Sequence, residues 1–574
     1  MNRCLVRVIF SLFLLLFAAA ALGQSVVRGP YLQQQTDGSI IVRWRTDTAT
    51  DSVVRYGLDS ATLSSLTSVA GSRTEHNVQV TGLTTLTQYF YSVGDSIGTI
   101  AGDASYHFHT APVIGTPTST RFWAIGDSGT AVTHPGQAAS VRDAFKTYSA
   151  SSPANFMMML GDNAYNDGTD TQYQNAVFDT YPELLRQLPL WSTLGNHDGH
   201  SADSATQTGP YYDIFELPTT GEVGGYPSFT EAYYSFDYGE VHFVCLDSYD
   251  SPRGVNASMM TWLESDLAEN HLPWVIAYWH HPPYSKGSHN SDSSGEVQMT
   301  EMRQNFLPVL EAWGVDLVLT GHSHSYERSF LLDGHYGLSS SLDLSDPSSN
   351  VLDWGDGSES GNGVYQKPGT IAAENEGAIY IVAGSSGKAS AAVLNHPAMF
   401  VGLANLGSMV VDVVGNRLDA VFIDETGLVR DEFTILKTPD LDPPLIVDAR
   451  AEDGTHVIVD YSEHVDVTSA SNVTNYSISG LGISNAAMIA GNKSVRLTTS
   501  AMTPGSNYTL TINDVMDDEG NTILPNSQFG FDFIQQLTVS FQDGLAPTPA
   551  YDGTFDSYIR EATATTNYGT ASTL

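Results

Sequence analysis

Five apolar runs in the middle of this sequence each end in a glycine or a histidine. Side chains that can bind a metal or move a proton follow at once. Phe122-Trp123-Ala124-Ile125 leads into Gly126-Asp127-Ser128-Gly129, and Phe156-Met157-Met158-Met159-Leu160 leads into Gly161-Asp162-Asn163-Ala164-Tyr165. Leu190-Trp191-Ser192-Thr193-Leu194 leads into Gly195-Asn196-His197-Asp198. The run from Trp274 to Trp279 leads into His280-His281-Pro282-Pro283-Tyr284, and Leu317-Val318-Leu319-Thr320 leads into Gly321-His322-Ser323-His324. The donors delivered are Asp127, Asp162, Tyr165, Asn196, His280, His322 and His324. One zinc takes about four donors, so this set exceeds one ion and suits two if a carboxylate bridges. Mixed imidazole and oxygen donors fit iron, zinc or manganese and argue against a thiolate site. Any one motif also occurs in ordinary surface loops; Asp127 alone reads as a helix cap and Asn196 as a turn residue. The succession, each motif directly after an apolar run, is what points to a site.

Such a constellation needs strands that deliver it. The apolar runs alternate with helical stretches at Gln137 to Tyr148, Glu183 to Leu188 and Met259 to Glu269, the signature of a layered α/β domain over residues 118–436. In a mostly parallel sheet those strand ends lie at one edge, where ligands bind. The glycines are expected to let the chain turn sharply there.

The flanks read as β modules. Between residues 24 and 113, Ser39-Ile40-Ile41-Val42-Arg43-Trp44 and Val53-Val54-Arg55-Tyr56-Gly57 read as two strands. Gly82-Leu83 followed by Thr87-Gln88-Tyr89-Phe90-Tyr91 resembles the tyrosine-corner region of a fibronectin type III sandwich. After a linker, Thr438-Pro439-Asp440-Leu441-Asp442-Pro443-Pro444, short strands return over 443–534 and resemble a bacterial immunoglobulin-like module. Residues 537–574, with Tyr558-Ile559-Arg560 and Thr566-Asn567-Tyr568-Gly569, resemble the start of a carbohydrate-binding-type β module. The expected architecture is therefore multidomain, with an N-terminal β-sandwich, a central α/β domain and C-terminal β-sandwich modules.

Composition narrows the partners. The 574 residues carry a formal net charge of −40, with 41% hydrophobic and 15% charged residues. That is globular composition, and its sign opposes nucleic acid and anionic membranes. An anionic substrate would need local positive charge, which bound metal ions provide. Arg3 and Arg7 precede an apolar run from Val8 to Leu22, and Ala21-Leu22-Gly23 supplies small residues, so residues 1–23 read as a signal peptide. The chain is expected to be secreted, extracellular or periplasmic, with no integral membrane segment after cleavage. Cys4 leaves with the leader, and Cys245, in an apolar run, reads as a small core residue.

The ordered blocks resemble the calcineurin-like phosphoesterases, and within them the purple acid phosphatases, over about residues 28–430. Arg28-Gly29-Pro30-Tyr31-Leu32 and Thr110-Ala111-Pro112 are similar to the ends of that family's N-terminal domain, and His322-Ser323-His324-Ser325-Tyr326-Glu327-Arg328 is similar to its closing motif. Many relatives in the wider superfamily begin with Asp-x-His; this chain has Asp127-Ser128-Gly129, together with Tyr165 where the purple enzymes place a tyrosinate on ferric iron.

The resemblance implies a four-layer metallophosphoesterase sandwich and two metal ions. Asp127, Tyr165 and His324 would bind Fe(III), and Asn196, His280 and His322 a divalent Fe, Zn or Mn, with Asp162 bridging. It further implies hydrolysis of small phosphorylated substrates by hydroxide generated at the metals. His197 would contact the phosphate, and His289 would act on the leaving group. The family's plant members carry two adjacent histidines at that last position, whereas here His289 is followed by Asn290. A phosphodiesterase or nucleotidase on the same fold is the nearest alternative, with the Gly-, Ser- and Asp-rich segment 333–376 as a loop that would set the choice. A sugar-binding adhesin, reaching polysaccharide or a cell surface through its C-terminal modules, is the alternative of another class.

Overall fold

The runs Thr120–Ile125, Phe156–Met159 and Leu190–Ser192 are short and buried along their length, the pattern of parallel strands covered on both faces. In the computed structural model they pair in that order, with Phe122 opposite Phe156 and Met157 opposite Leu190. The structure describes residues 24–345, 350–369, 372, 376–438, 443–463, 465–489, 493–517 and 520–534. The expected signal peptide, most of the linker and the module at 537–574 lie outside the described residues.

Four further strands complete this first sheet. Gly407–Val414, Arg417–Asp424 and Val429–Thr438 add antiparallel, and Tyr365–Pro368 joins at the far edge. A second seven-stranded sheet has Val241–Cys245, Trp274–Tyr278, Leu317–Thr320 and Ile379–Ala383 in parallel at its centre.

The sheets face each other across one apolar core, where Phe122 meets Phe243 edge-on at 5.5 Å and Trp191 stacks on Phe236 at 3.9 Å. The helix Gln137–Tyr148 covers the outside of the first sheet by stacking Phe145 on Trp123 at 4.2 Å. On the second sheet, Met259, Leu263 and Leu310 of the helices Ser258–Glu269 and Leu307–Ala312 pack with Val244, Val275 and Ala277. The layers are therefore helix, sheet, sheet, helix.

This arrangement corrects the expectation of a single sheet edge. Three of the donor-bearing strands belong to the first sheet and two to the second. The donors meet across the seam between two sheets, because neither sheet alone holds all five strands.

The N-terminal region also differs from the two separate strands expected. Ser39–Gly57 is one strand, irregular between Arg45 and Ser52. Its first half pairs with Val26–Gln33 and its second with Gln88–Gly94, while Ser65–Thr81 follows it throughout. Bulges bend a strand, so one six-stranded sheet folds over the Trp44, Val54 and Tyr91 core.

This sheet docks on the α/β region through named groups. Tyr31 Oη and Arg43 Nη1 both donate to Ile214 O at 2.7 Å. Arg28 and Arg45 share Asp170, five residues beyond Tyr165. Residues 446–533 form a four-stranded and a three-stranded sheet over their own core, including Val457, Leu497 and Leu510. Among the described residues no helix is long and apolar enough to cross a membrane.

Candidate metal centre

Asp127, Asp162 and His322, each directly after a glycine, adopt left-handed backbone with φ of 54°, 53° and 63°. That conformation is strained for a side chain bearing a Cβ, and it turns each donor inward as the chain leaves its strand. The glycine before Asp127 and the one before His322 have ordinary φ, so their role differs from the sharp turn expected. A Cβ on Gly321 would lie 2.6 Å from Asp127 Oδ2, and one on Gly195 would fall on the Asp162 backbone. These glycines let neighbouring donor loops touch.

Two donor groups result. Tyr165 Oη lies 2.9 Å from Asp127 Oδ1 and 3.2 Å from His324 Nε2, with His324 Nε2 3.5 Å from Asp127 Oδ1. Three donors this close together can face one cation. In the second group His280 Nε2 lies 3.1 Å from Asn196 Oδ1 and 3.4 Å from Asp162 Oδ1. Asp162 connects the groups, since one of its oxygens lies within 4.8 Å of ligand atoms of both Asp127 and His280; it also accepts the His197 amide at 2.9 Å. His322 donates its amide to Asp127 Oδ2 at 2.7 Å, and its ring lies 5.0 Å from that of His280. The structure thus brings all seven sequence-derived donors to one seam.

Protonation fits cation binding. Burial would raise the Asp162 carboxyl, but His280, His197 and His322 hold it well below the usual range. Burial drives His281 well down, helped by His322 and His280, and takes His322 to about 4. Burial also works against charge on His280, but the Asp162 carboxylate overrides it and raises the imidazole to about 9, a proton that a cation would displace. Carboxylates and neutral imidazoles are the forms that ligate metals. Burial and the two neighbouring carboxylates push the Tyr165 phenol up, so a tyrosinate there needs a strong cation beside it.

The loops are cross-tied. Asp198, fully buried, accepts the amides of Asn163 and Gly195 and the Tyr173 hydroxyl. Burial and Asp162 raise it to about 7. His197 gives its Nδ1 to Asn166 O at 2.6 Å, which turns Nε2 toward Asp162 Oδ2, 3.9 Å away.

Residues 120–326 match the calcineurin-like phosphoesterase model, and residues 29–110 match the purple acid phosphatase N-terminal domain model. The chain belongs to the calcineurin-like phosphoesterases, of the purple acid phosphatase type. Purple acid phosphatase 15 of Arabidopsis thaliana is 28% identical over 44% of this chain and 49% of its own length. Purple acid phosphatase 18 of the same plant is 33% identical over 30% and 38%. The chain thus spans half or less of these curated relatives. A purple acid phosphatase from yellow lupin (Lupinus luteus) seeds shares the fold with a TM-score of 0.55 at 19% identity, over 71% of this chain and 75% of that one. This family implies a dinuclear metal centre.

Two further residues at the centre carry no clear mark in the sequence. Glu296 accepts His289 Nδ1 at 2.7 Å and lies 3.4 Å from His322 Nε2. Hydrogen bonding from His322, assisted by His289, overcomes burial and lowers its carboxyl to about 2. His281 groups with His280 and His322 as possible ligands, and its Nδ1 lies 2.9 Å from Ser248 Oγ. Glu296 had a weak signal, seven residues beyond His289, and His281 stands beside His280 in the motif that follows its apolar run. Of the segment 333–376, Ser339 reaches the His289 loop, its amide donating to Asp292 Oδ1 at 2.9 Å, while Tyr365–Pro368 leaves for the sheet edge.

Proposed function

We propose that this chain is a secreted dinuclear-metal phosphatase that hydrolyses phosphate monoesters. One observation carries the reading: Asp127 and Asp162 meet at the seam with Tyr165 and His324 on one side and Asn196 and His280 on the other. Asp127, Tyr165 and His324 would hold a ferric ion, Asn196, His280 and His322 a divalent iron, zinc or manganese, and Asp162 would bridge. When bound, two cations supply Lewis acidity toward phosphoryl oxygens and lower the pKa of the attacking water. They also reverse the local sign of a chain with net charge −40.

The chain's own groups orient the substrate and move protons. With Nδ1 held by Asn166 O, His197 presents Nε2 to the phosphoryl group, where charge builds in the transition state. With Nδ1 held by Glu296, His289 presents Nε2 to the leaving oxygen as a general acid. The same device, one acceptor on Nδ1, serves both imidazoles.

The test is metal analysis of the purified chain beside hydrolysis of mono- and diesters. Two metals per chain, monoester turnover and its loss in Asp162→Ala are expected. A metal-loaded chain that cleaves only diesters would overturn the monoester reading. Secretion is tested by N-terminal sequencing of exported protein, with a start near Gln24 expected.

A further inference from the structure

The strand Tyr326–Ser329 lies between Ile379–Ala383 and Met399–Leu403 in the second sheet, with Glu327 opposite Val382 and Gly402. Pairing on both sides fixes its backbone, and Glu327 is fully buried. Ser285 Oγ donates to Glu327 Oε1 at 2.5 Å and Ser325 Oγ to the same oxygen at 3.0 Å, while the Lys286 amide donates to Oε2 at 3.2 Å. The carboxylate therefore takes the hydroxyl protons of both serines. Ser285 Oγ is left to accept: it takes the Gly287 amide at 3.0 Å and lies 2.9 Å from Ser323 Oγ. Ser323 Oγ in turn accepts the His289 amide at 3.4 Å. The segment 285–289 is thus laid out, amide by amide, on one carboxylate and its serines.

No space separates the segment from this network. A Cβ on Gly287 would lie 2.5 Å from Ser325 Oγ and collide with Ser323 Oγ. A return contact ties the segment to a metal donor, the His324 amide donating to Ser288 Oγ at 2.9 Å. The His289 ring then stands 3.8 Å from that of His322. Glu296 decides which nitrogen of His289 faces outward. The Glu327 network decides where the His289 backbone stands relative to His322 and His324.

We propose that Glu327 is a positioning residue, anchoring the segment 285–289 so that His289 keeps its register with the metal donors. Its effect on turnover rests on the reading of His289 as general acid. In Glu327→Gln one acceptor oxygen becomes an amide donor, so at least one of Ser285 Oγ, Ser325 Oγ and the Lys286 amide loses its acceptor. Its partners are serines beside the metal donors, so metal content should be unchanged. Hydrogen exchange of the Lys286, Gly287 and His289 amides should quicken about tenfold. The kcat for an alkyl phosphate should fall about 30-fold with KM nearly unchanged, and that for nitrophenyl phosphate less than about threefold. In a His289→Asn background the same substitution should cost the alkyl phosphate almost nothing more. Ser285→Ala, which leaves Ser325 and Lys286 on the carboxylate, should move exchange and kcat the same way by less, and it carries the test if Glu327→Gln does not fold. Unchanged exchange overturns the proposal, as does equal loss on both substrates where His289→Asn is selective for the alkyl phosphate. If exchange quickens but His289→Asn itself slows both substrates equally, the general-acid reading fails and the anchoring stands.

Discussion

Tyr165 and Gly129 are joined through their backbones, the Tyr165 amide donating to the Gly129 carbonyl at 3.0 Å while the Gly129 amide donates to Asp162 O at 3.1 Å. A Cβ on Gly129 would lie 2.6 Å from Asn163 O and collide with the Asn163–Ala164 peptide. The position where many relatives in the wider superfamily carry a histidine thus has no room for one while Tyr165 keeps its place. Gly129→Ala should displace the Asp162 and Tyr165 loop, remove iron and cut monoester turnover about 100-fold, the cost of a small misplacement. Iron analysis with kinetics checks this; full iron occupancy in the variant would refute it.

Tyr165→Phe should fold and keep the divalent ion, because Asn196, His280 and Asp162 form their group without the phenol. It should lose the purple or pink band expected of tyrosinate on ferric iron. A colourless but active wild-type enzyme holding only zinc or manganese would remove the ferric assignment.

Glu296 fixes the tautomer of His289 at 2.7 Å. In Glu296→Gln, turnover of alkyl phosphates should fall about 100-fold, within the range of lost general-acid catalysis. Nitrophenyl phosphate, whose leaving group needs little protonation, should change much less. Equal losses across a leaving-group series would assign Glu296 to binding alone.

His242, remote from the metal centre, sits between Asp237 Oδ1 at 2.7 Å and Asp266 Oδ2 at 2.9 Å. Burial opposes its charge, but the Asp266 and Asp237 carboxylates prevail and raise it to about 10. A folded-state pKa above the unfolded value gives stability that is complete below about 6.5 and lost as pH rises through about 10. His242→Gln should therefore be less stable than wild type by roughly 3 kcal/mol at acidic pH, with the gap narrowing toward pH 10. Urea titrations across that range measure it, and a gap independent of pH would show that His242 is held neutral.

Much of the metal centre was legible in one dimension. Each of the seven donors lies within a few residues of a buried apolar run, and parallel strands bring the loops at their carboxyl ends to a common edge. Residue type and local order therefore announced Asp127, Asp162, Tyr165, Asn196, His280, His322 and His324 as a set. Their division between two sheets was not legible, because short apolar runs do not state which neighbour they pair with. Nor was the joining of Ser39–Trp44 and Val53–Gly57 into one bent strand. The parts of Glu296 and His281 in the site were decided by the tertiary structure. Carboxylates and paired histidines are common in loops, and their meaning arises from side-chain distances set by packing of segments far apart in sequence. The glycines were marked by sequence as special, but only the close approach of the 126, 161, 195 and 321 loops showed that contact, more than turning, is what three of them serve.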